Sequence, residues 1–214
     1  MFEAIVNPRI EVPSHLMQLM AKRDETMPLH SIRITQQARL REFINEPLAN
    51  ANDIESSYRI TFNEVLALRE RRRKLDSAFP PKARATFYIA YSVALSYGVV
   101  LSTIMLRTVA GFEQPFIRES TTLLDETLAL TEAAAEFIPL GSSAMSTLLL
   151  AAWPNDPLRR PAIEEWLRKI QGGFPIARWV ETAMWLDEML LPPHVEEFTC
   201  FEKSARPSDA CIVM

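Results

Sequence analysis

Apolar residues recur along most of this chain with the three- and four-residue spacing of an α-helix. The clearest case is Ile163, Trp166, Leu167 and Ile170, which lie at i, i+3, i+4 and i+7 and would form one buried helical face. Glutamates four residues before an arginine or lysine occupy the opposite face of that segment. No alternation of period two persists beyond four or five residues. The pattern predicts an all-α protein.

Prolines, glycines and capping residues divide this periodic pattern into separate helices. Asn52, with Glu55 three residues later, predicts the start of a long helix that ends before Pro80-Pro81. Other helix ends are expected at Pro139-Leu140-Gly141, at Gly172-Gly173 and at Pro192-Pro193. We therefore expect one all-α domain over residues 1–194, a bundle of about seven or eight helices, and an irregular, flexible tail over residues 195–214.

The segment from Ala85 to Leu106 contains no charged residue and is long enough to span a bilayer. It also contains three tyrosines and several serines and threonines, a heavy polar content for a lipid-facing helix. A helix surrounded by other helices is equally apolar on all sides. Two interpretations are open, a transmembrane helix and a buried central helix, and the polar content favours the second.

A stripe of polar residues on this central helix is the best candidate for a binding site. At 100° per residue, its members fall within an arc of about 100°. Hydroxyl groups on an apolar helix can orient a ligand, and an arginine supplies a cation. The alternative is hydrogen bonding between helices, with the arginine at a favourable position for the helix dipole. The predicted ligand-binding residues are Tyr88, Ser92, Ser96, Thr103 and Arg107.

Composition and charge exclude several classes of function. The chain of 214 residues has a net charge of −4, so no overall positive field attracts nucleic acid. It contains five glycines and none of the usual nucleotide-binding, hydrolase or zinc-protease motifs. The two cysteines lie in the tail, and His15, His30 and His194 are far apart. We expect no cofactor and no metal site, and the catalytic residues, if any, stay unknown.

Two charged clusters allow a structural and a functional interpretation. The run of Arg69, Arg71, Arg72, Arg73 and Lys74 is either a solvated helix face or a phosphate-contacting or nuclear-localisation patch. Asp125-Glu126 is the nearest approach to a magnesium–diphosphate motif. The simpler interpretation of that pair is solvated charge near a helix start.

The chain ends in Cys211-Ile212-Val213-Met214, which has the C-a-a-X pattern of a farnesylated protein. A chance ending is the alternative. One prenyl chain binds membranes only marginally, so stable attachment needs a second signal. Cys211 is the predicted lipidation site.

A family resemblance is carried by Leu158 to Leu167, with the sequence LRRPAIEEWL, and by Phe174 to Trp179, with the sequence FPIARW. These segments resemble the C-terminal end of the fungal-specific transcription factor domain, the all-α region behind the DNA-binding head of zinc-cluster regulators. The likeness covers about residues 59–190. The binuclear zinc cluster of those regulators needs six cysteines, and this chain has two. The resemblance implies a stand-alone regulatory, metabolite-sensing helical domain of a filamentous fungus.

Two functions follow as hypotheses. In the first, the domain binds an apolar intermediate of secondary metabolism and guides a cofactor-independent cyclisation or isomerisation by positioning. In the second, it is a transcriptional regulator that acts through a protein partner and does not bind DNA itself. The first predicts a cytoplasmic protein, attached to membranes if Cys211 is prenylated, and the second a nuclear one. A homo-oligomer is compatible with both.

Overall fold

The computed structural model describes residues 18, 24, 28–75, 79–108, 114–137, 143–171, 181–184 and 187–188. Within these ranges the chain is helical and has no strand, which confirms the all-α prediction. The predicted tail, Cys211 and most of the segment between the predicted helix ends at Gly172-Gly173 and Pro192-Pro193 lie outside the described residues.

The first two helices with described bounds are α1, Ile34–Asn45, and α2, Ala51–Leu75. The start of α2 differs slightly from the sequence prediction. The Asn50 carbonyl accepts the first helical hydrogen bond, from the Ile54 amide at 2.9 Å, so Asn52 already lies within the first turn. Asn50, two residues earlier, therefore occupies the capping position that the sequence assigned to Asn52.

The uncharged segment forms α3, Pro81–Thr108, a helix of 28 residues. Pro81 is its first residue, where a missing amide proton costs no hydrogen bond. By length and composition α3 could cross a membrane, but 72% of its most apolar window is buried by the rest of the fold. This burial agrees with the predicted central core helix.

The remaining described helices pack against α3 directly or, for the last of them, against the helix that precedes it. Helix α4, Gln114–Ala134, passes into a 3₁₀ turn at Ala135–Phe137, so its last α-helical residue precedes the helix end predicted at Pro139-Leu140-Gly141. Helix α5 is Ser143–Ala152, and a second 3₁₀ turn, Pro157–Arg159, leads into α6, Arg160–Gln171. Residues 181–184 and 187–188 are also helical.

The predicted face of α6 is confirmed. Ile163 and Leu167 are fully buried, and Trp166 and Ile170 pack against the core. On the outer face, Lys169 pairs with Glu165 at 2.7 Å, as the i,i+4 spacing predicts.

Contacts between side chains define the directions of the central helices. Thr61 lies beside Gly98, and the Tyr91 hydroxyl donates to the Val65 carbonyl, so α2 and α3 are antiparallel. Ser102 bonds Ser120 near one end of α3, and Tyr88 meets the Phe137 ring near the other, so α3 and α4 are also antiparallel. Helices α2 and α4 therefore run parallel on neighbouring sides of α3.

Candidate functional site

The five predicted ligand-binding residues all lie on α3, spread along most of its length. At a rise of 1.5 Å per residue, Tyr88 and Arg107 are about 28 Å apart along the helix axis. Tyr88, Ser92 and Thr103 are buried, whereas Ser96 and Arg107 are half-buried. The stripe is thus too long for one small molecule to contact both ends.

The serine and threonine hydroxyls of the stripe donate to carbonyls of their own helix. Ser92 Oγ bonds the Ile89 carbonyl, and Ser96 Oγ bonds the Ser92 carbonyl, both at 2.8 Å. Thr103 Oγ1 bonds the Val99 carbonyl at 2.8 Å. Such bonds satisfy a buried hydroxyl donor without a ligand. The oxygens of these hydroxyl groups could still accept hydrogen bonds from a ligand. Their role in ligand binding stays a prediction.

Thr103 belongs to a polar network that joins α3, α4 and the turn after α5. Asn155 Nδ2 donates to Thr103 Oγ1 at 2.9 Å, and Ser120 Oγ donates to Asn155 Oδ1 at 3.0 Å. Ser102 Oγ completes the network by donating to Ser120 Oγ at 2.8 Å. Asn155 had no signal in the sequence beyond its position in a turn.

Arg107 connects the same end of α3 to two other parts of the chain. Its guanidinium donates to the Pro154 carbonyl at 2.8 Å and to the Asp187 carbonyl at 2.7 Å. It also forms an ion pair with the Asp187 carboxylate, whose second oxygen accepts from Arg160 Nη2 at 3.0 Å. The Arg107 guanidinium, which was predicted to contact a ligand, therefore already binds groups of the protein itself.

An uncharged surface is present on the outer side of α3. Thr86, Ile89, Val93, Ser96 and Val100 lie within about 80° of one another at 100° per residue, and we call them the α3 strip. Ile89 is 40% exposed, Val93 and Ser96 are half-buried, and Val100 is 7% exposed. The exposure of the strip therefore increases from Val100 towards the N-terminal end of α3.

Glu126 is a buried carboxylate, so the interpretation of this residue as solvated charge near a helix start is wrong. It is 3% exposed and lies in the middle of α4, so it is neither solvated nor near the helix start. Arg69 Nε lies 3.2 Å and Arg72 Nη2 3.0 Å from its two oxygens. Its neighbour Asp125 is exposed and pairs with Arg159, as expected of a surface charge.

This cluster also perturbs a tyrosine. Burial raises the pKa of Tyr91 well above its usual value, and the nearby Glu126 carboxylate raises it further. The sequence did contain a signal for the burial of Glu126. This residue shares a helical face with Leu123 and Leu130, both of which are fully buried. The cluster binds α2 to α4.

A second polar cluster lies where the segment before α1 crosses α2 and α3. Glu64 accepts hydrogen bonds from the backbone amides of His30 and Ser31, the latter at 3.0 Å. Ser57 and Thr61, at i−7 and i−3 from Glu64, are buried on the same face of α2. Burial raises the pKa of Tyr97 on α3 to about 12. This spacing of polar residues on the inner side of a helix was also visible in the sequence.

The surface has an open depression of about 450 Å³ at the corner between α1 and α2. Its lining is entirely charged or amide side chains, namely Arg41, Glu42, Asn45, Glu46 and Asn50. It is not part of the α3 strip or of the predicted stripe. Among the residues that the structure describes, no group of three or more acidic, histidine or cysteine side chains could hold a metal ion.

Comparison with models of known protein families found no match, and neither the curated proteins nor the solved structures contain a match to this chain.

Proposed function

We propose that the protein is a helical regulatory module that binds a protein partner through the α3 strip. The observation that carries the proposal is the exposed apolar end of the strip. Ile89 is 40% exposed on a helix that has no charged residue between Ala85 and Leu106. An uncharged face on an otherwise central helix is the kind of surface that another helix covers. The resemblance to a regulatory domain supports the same function.

The shape of the strip favours a protein partner. Ile89 and Val93 are four residues apart and form the kind of ridge that packs into a groove of a second helix. Ser96, one turn further on, is small and would allow the two backbones to approach closely. Small-molecule sites, in contrast, are concave and enclose most of their ligand.

The experiment compares two isoleucines of nearly equal exposure. A strain lacking the gene is complemented with the wild type, with Ile89→Asp or with Ile60→Asp, since Ile60 on α2 is 42% exposed. Transcripts and metabolites are then profiled. We expect deletion and Ile89→Asp to lose the same set of transcripts, while Ile60→Asp restores them. Both purified variants should retain the wild-type melting temperature.

An apolar small molecule is the second candidate ligand, because Ser96 of the predicted stripe lies on the α3 strip. In that case deletion should leave transcripts unchanged and cause one metabolic intermediate to accumulate. That result, or equal activity of the two isoleucine variants, would contradict the regulatory proposal.

A further inference from the structure

One end of the bundle combines exposed cations with an exposed aromatic ring. Helix α2 ends at Leu75 and the antiparallel α3 begins at Pro81, so the last turn of α2 and the first turn of α3 lie at the same end. Phe79, between the two helices, is 49% exposed. The exposed cations are those of α2 and α3 on either side of it. We call this surface the basic end, and it consists of Arg71, Arg73, Lys74, Phe79 and Lys82.

The basic end carries a clear excess of positive charge. Residues 69–84 contain seven arginines and lysines but only two acids, Glu70 and Asp76, in a chain whose net charge is −4. Glu126 and Glu136 of α4 bind Arg69, Arg72 and Arg84. Those three arginines are therefore not counted in the basic end.

The four remaining cations outnumber the two acids of this stretch, and their side chains are accessible to an external anion. Arg73 and Lys74 share one acid, Glu70, at 3.6 and 3.5 Å, and both side chains are mostly exposed. Ion pairs of this kind contribute little, so they leave the two cations available.

We propose that the basic end docks on an anionic membrane surface. Each lysine or arginine near such a surface gains an attraction to acidic headgroups, and an exposed phenylalanine can enter the boundary between headgroups and acyl chains. The aromatic ring favours lipid over duplex nucleic acid, because phosphate contacts along a duplex need only cations. The surface would also be the second signal that a single prenyl chain on Cys211 requires.

The test uses the unprenylated full-length chain with vesicles of phosphatidylcholine alone or mixed with phosphatidylserine, at physiological ionic strength. We expect binding only to the anionic vesicles, and weaker binding as salt is raised. Lys74→Gln combined with Lys82→Gln should weaken binding on the order of 20-fold, since each cation contributes about fivefold. Phe79→Ala should weaken binding several-fold without any change in charge.

A matched control removes two exposed cations elsewhere. Arg168→Gln with Lys169→Gln on α6 changes the net charge equally and should leave vesicle binding within about twofold, because charge effects fall off within a Debye length. Equal losses in both double variants would overturn the proposal, and so would wild-type binding that does not depend on phosphatidylserine. Displacement of the vesicles by duplex DNA, with Phe79→Ala unchanged, would assign the surface to nucleic acid instead. None of these measurements depends on the α3 strip.

Discussion

Individual carboxylates that are wholly or partly buried hold distant parts of this chain together through hydrogen bonds and ion pairs. Asp24 accepts the backbone amides of Ile34 and Thr35 at 2.8 and 2.7 Å, and so caps the first turn of α1 from ten residues upstream. Burial acts to raise the pKa of Asp24, but the hydrogen bonds from Thr35 and Ile34 more than offset it and lower the pKa. Glu64 makes comparable contacts with backbone amides, and Glu126 does so with arginines. At this scale, ionised side chains define how helices join.

The Glu126 ion pairs should contribute measurably to stability. Glu126→Gln keeps the shape of the side chain but leaves Arg69 and Arg72 without their counter-charge, and both arginines reach solvent only in part. We expect the free energy of unfolding to fall by about 2 kcal/mol, less than the about 3–5 kcal/mol of a fully buried pair, because solvent partly screens the two arginines. Urea denaturation measures it. Asp125→Asn, the exposed neighbour, should cost less than about 1 kcal/mol. Equal losses of stability in the two variants would contradict the prediction that the buried ion pairs contribute more than the exposed one.

Removal of the Arg107 side chain should change the stability of the protein more than removal of the Ser96 hydroxyl. Arg107→Ala abolishes hydrogen bonds to Pro154 and Asp187 and should cost about 2 kcal/mol of stability, as charged hydrogen bonds do. Ser96→Ala removes only a bond to the backbone of its own helix and should change stability by less than about 0.5 kcal/mol. Thermal and denaturant unfolding compare them. An Arg107→Ala variant as stable as the wild type would instead support a ligand-binding role for this arginine.

At the scale of elements, the packing of α3 depends on where its neighbours approach most closely. Gly98 lies where α3 passes close to α2 and α4, since an added Cβ would meet Thr61 Cγ2 at 3.3 Å and Leu123 Cδ1 at 3.7 Å. A glycine in a helix interior normally costs about 1 kcal/mol relative to alanine. Its presence here reflects the close approach of α2 and α3 more than any need for flexibility.

A pair of substitutions tests this explanation. Gly98→Ala gains helix propensity but presses on the Thr61 methyl group, which is β-branched and cannot easily rotate away. We expect a net change within about 0.5 kcal/mol for Gly98→Ala alone. In a Thr61→Ser background, which lacks that methyl group, the same change should stabilise by about 0.5–1 kcal/mol. A double-mutant cycle in denaturant measures the difference. Identical effects in both backgrounds would show that α2 does not limit the space.

For the whole molecule, the uncharged stretch of α3 from Ala85 to Leu106 occupies the centre, and charged contacts connect the helices around it. Arg59 of α2 binds Glu119 of α4 at 2.7 Å near one end, and the Glu126 pairs lie further along the same two parallel helices. The segment before α1 closes a third side through Glu64. This last contact includes His30, so the assembled fold should be sensitive to mild acid.

The pH dependence follows from the environment of His30. Burial lowers its pKa below the usual 6.5 and outweighs the Glu64 carboxylate, which acts to raise it; Arg33 and Arg39 lower it further. The folded state thus favours neutral imidazole, and stability is complete above pH 6.5 and declines as pH falls below that value. Melting temperatures from about pH 7.5 to 5 should show this decline. His30→Gln should flatten the decline, and an unchanged slope in that variant would assign it to other groups.

The sequence alone determined the helical class and the buried and ion-paired faces of α6, and it favoured a central position for α3. These features depend on residues three or four apart, and helix geometry brings such residues together whatever the rest of the chain does. It also placed Tyr88, Ser92, Ser96, Thr103 and Arg107 on one side of α3. Helix ends were less certain, because Asn50 and Asn52 are equally good caps and only the first hydrogen bond distinguishes them.

The tertiary structure alone decided which polar side chains meet. Glu126 finds Arg69 and Arg72 more than fifty residues away, and Arg107 finds Asp187 eighty residues away. No local period encodes such pairs, since they depend on the order and direction in which the helices pack. The same packing left the outer end of the α3 strip and the basic end at the surface, because a helix that is apolar on several sides is covered only where neighbours pack against it.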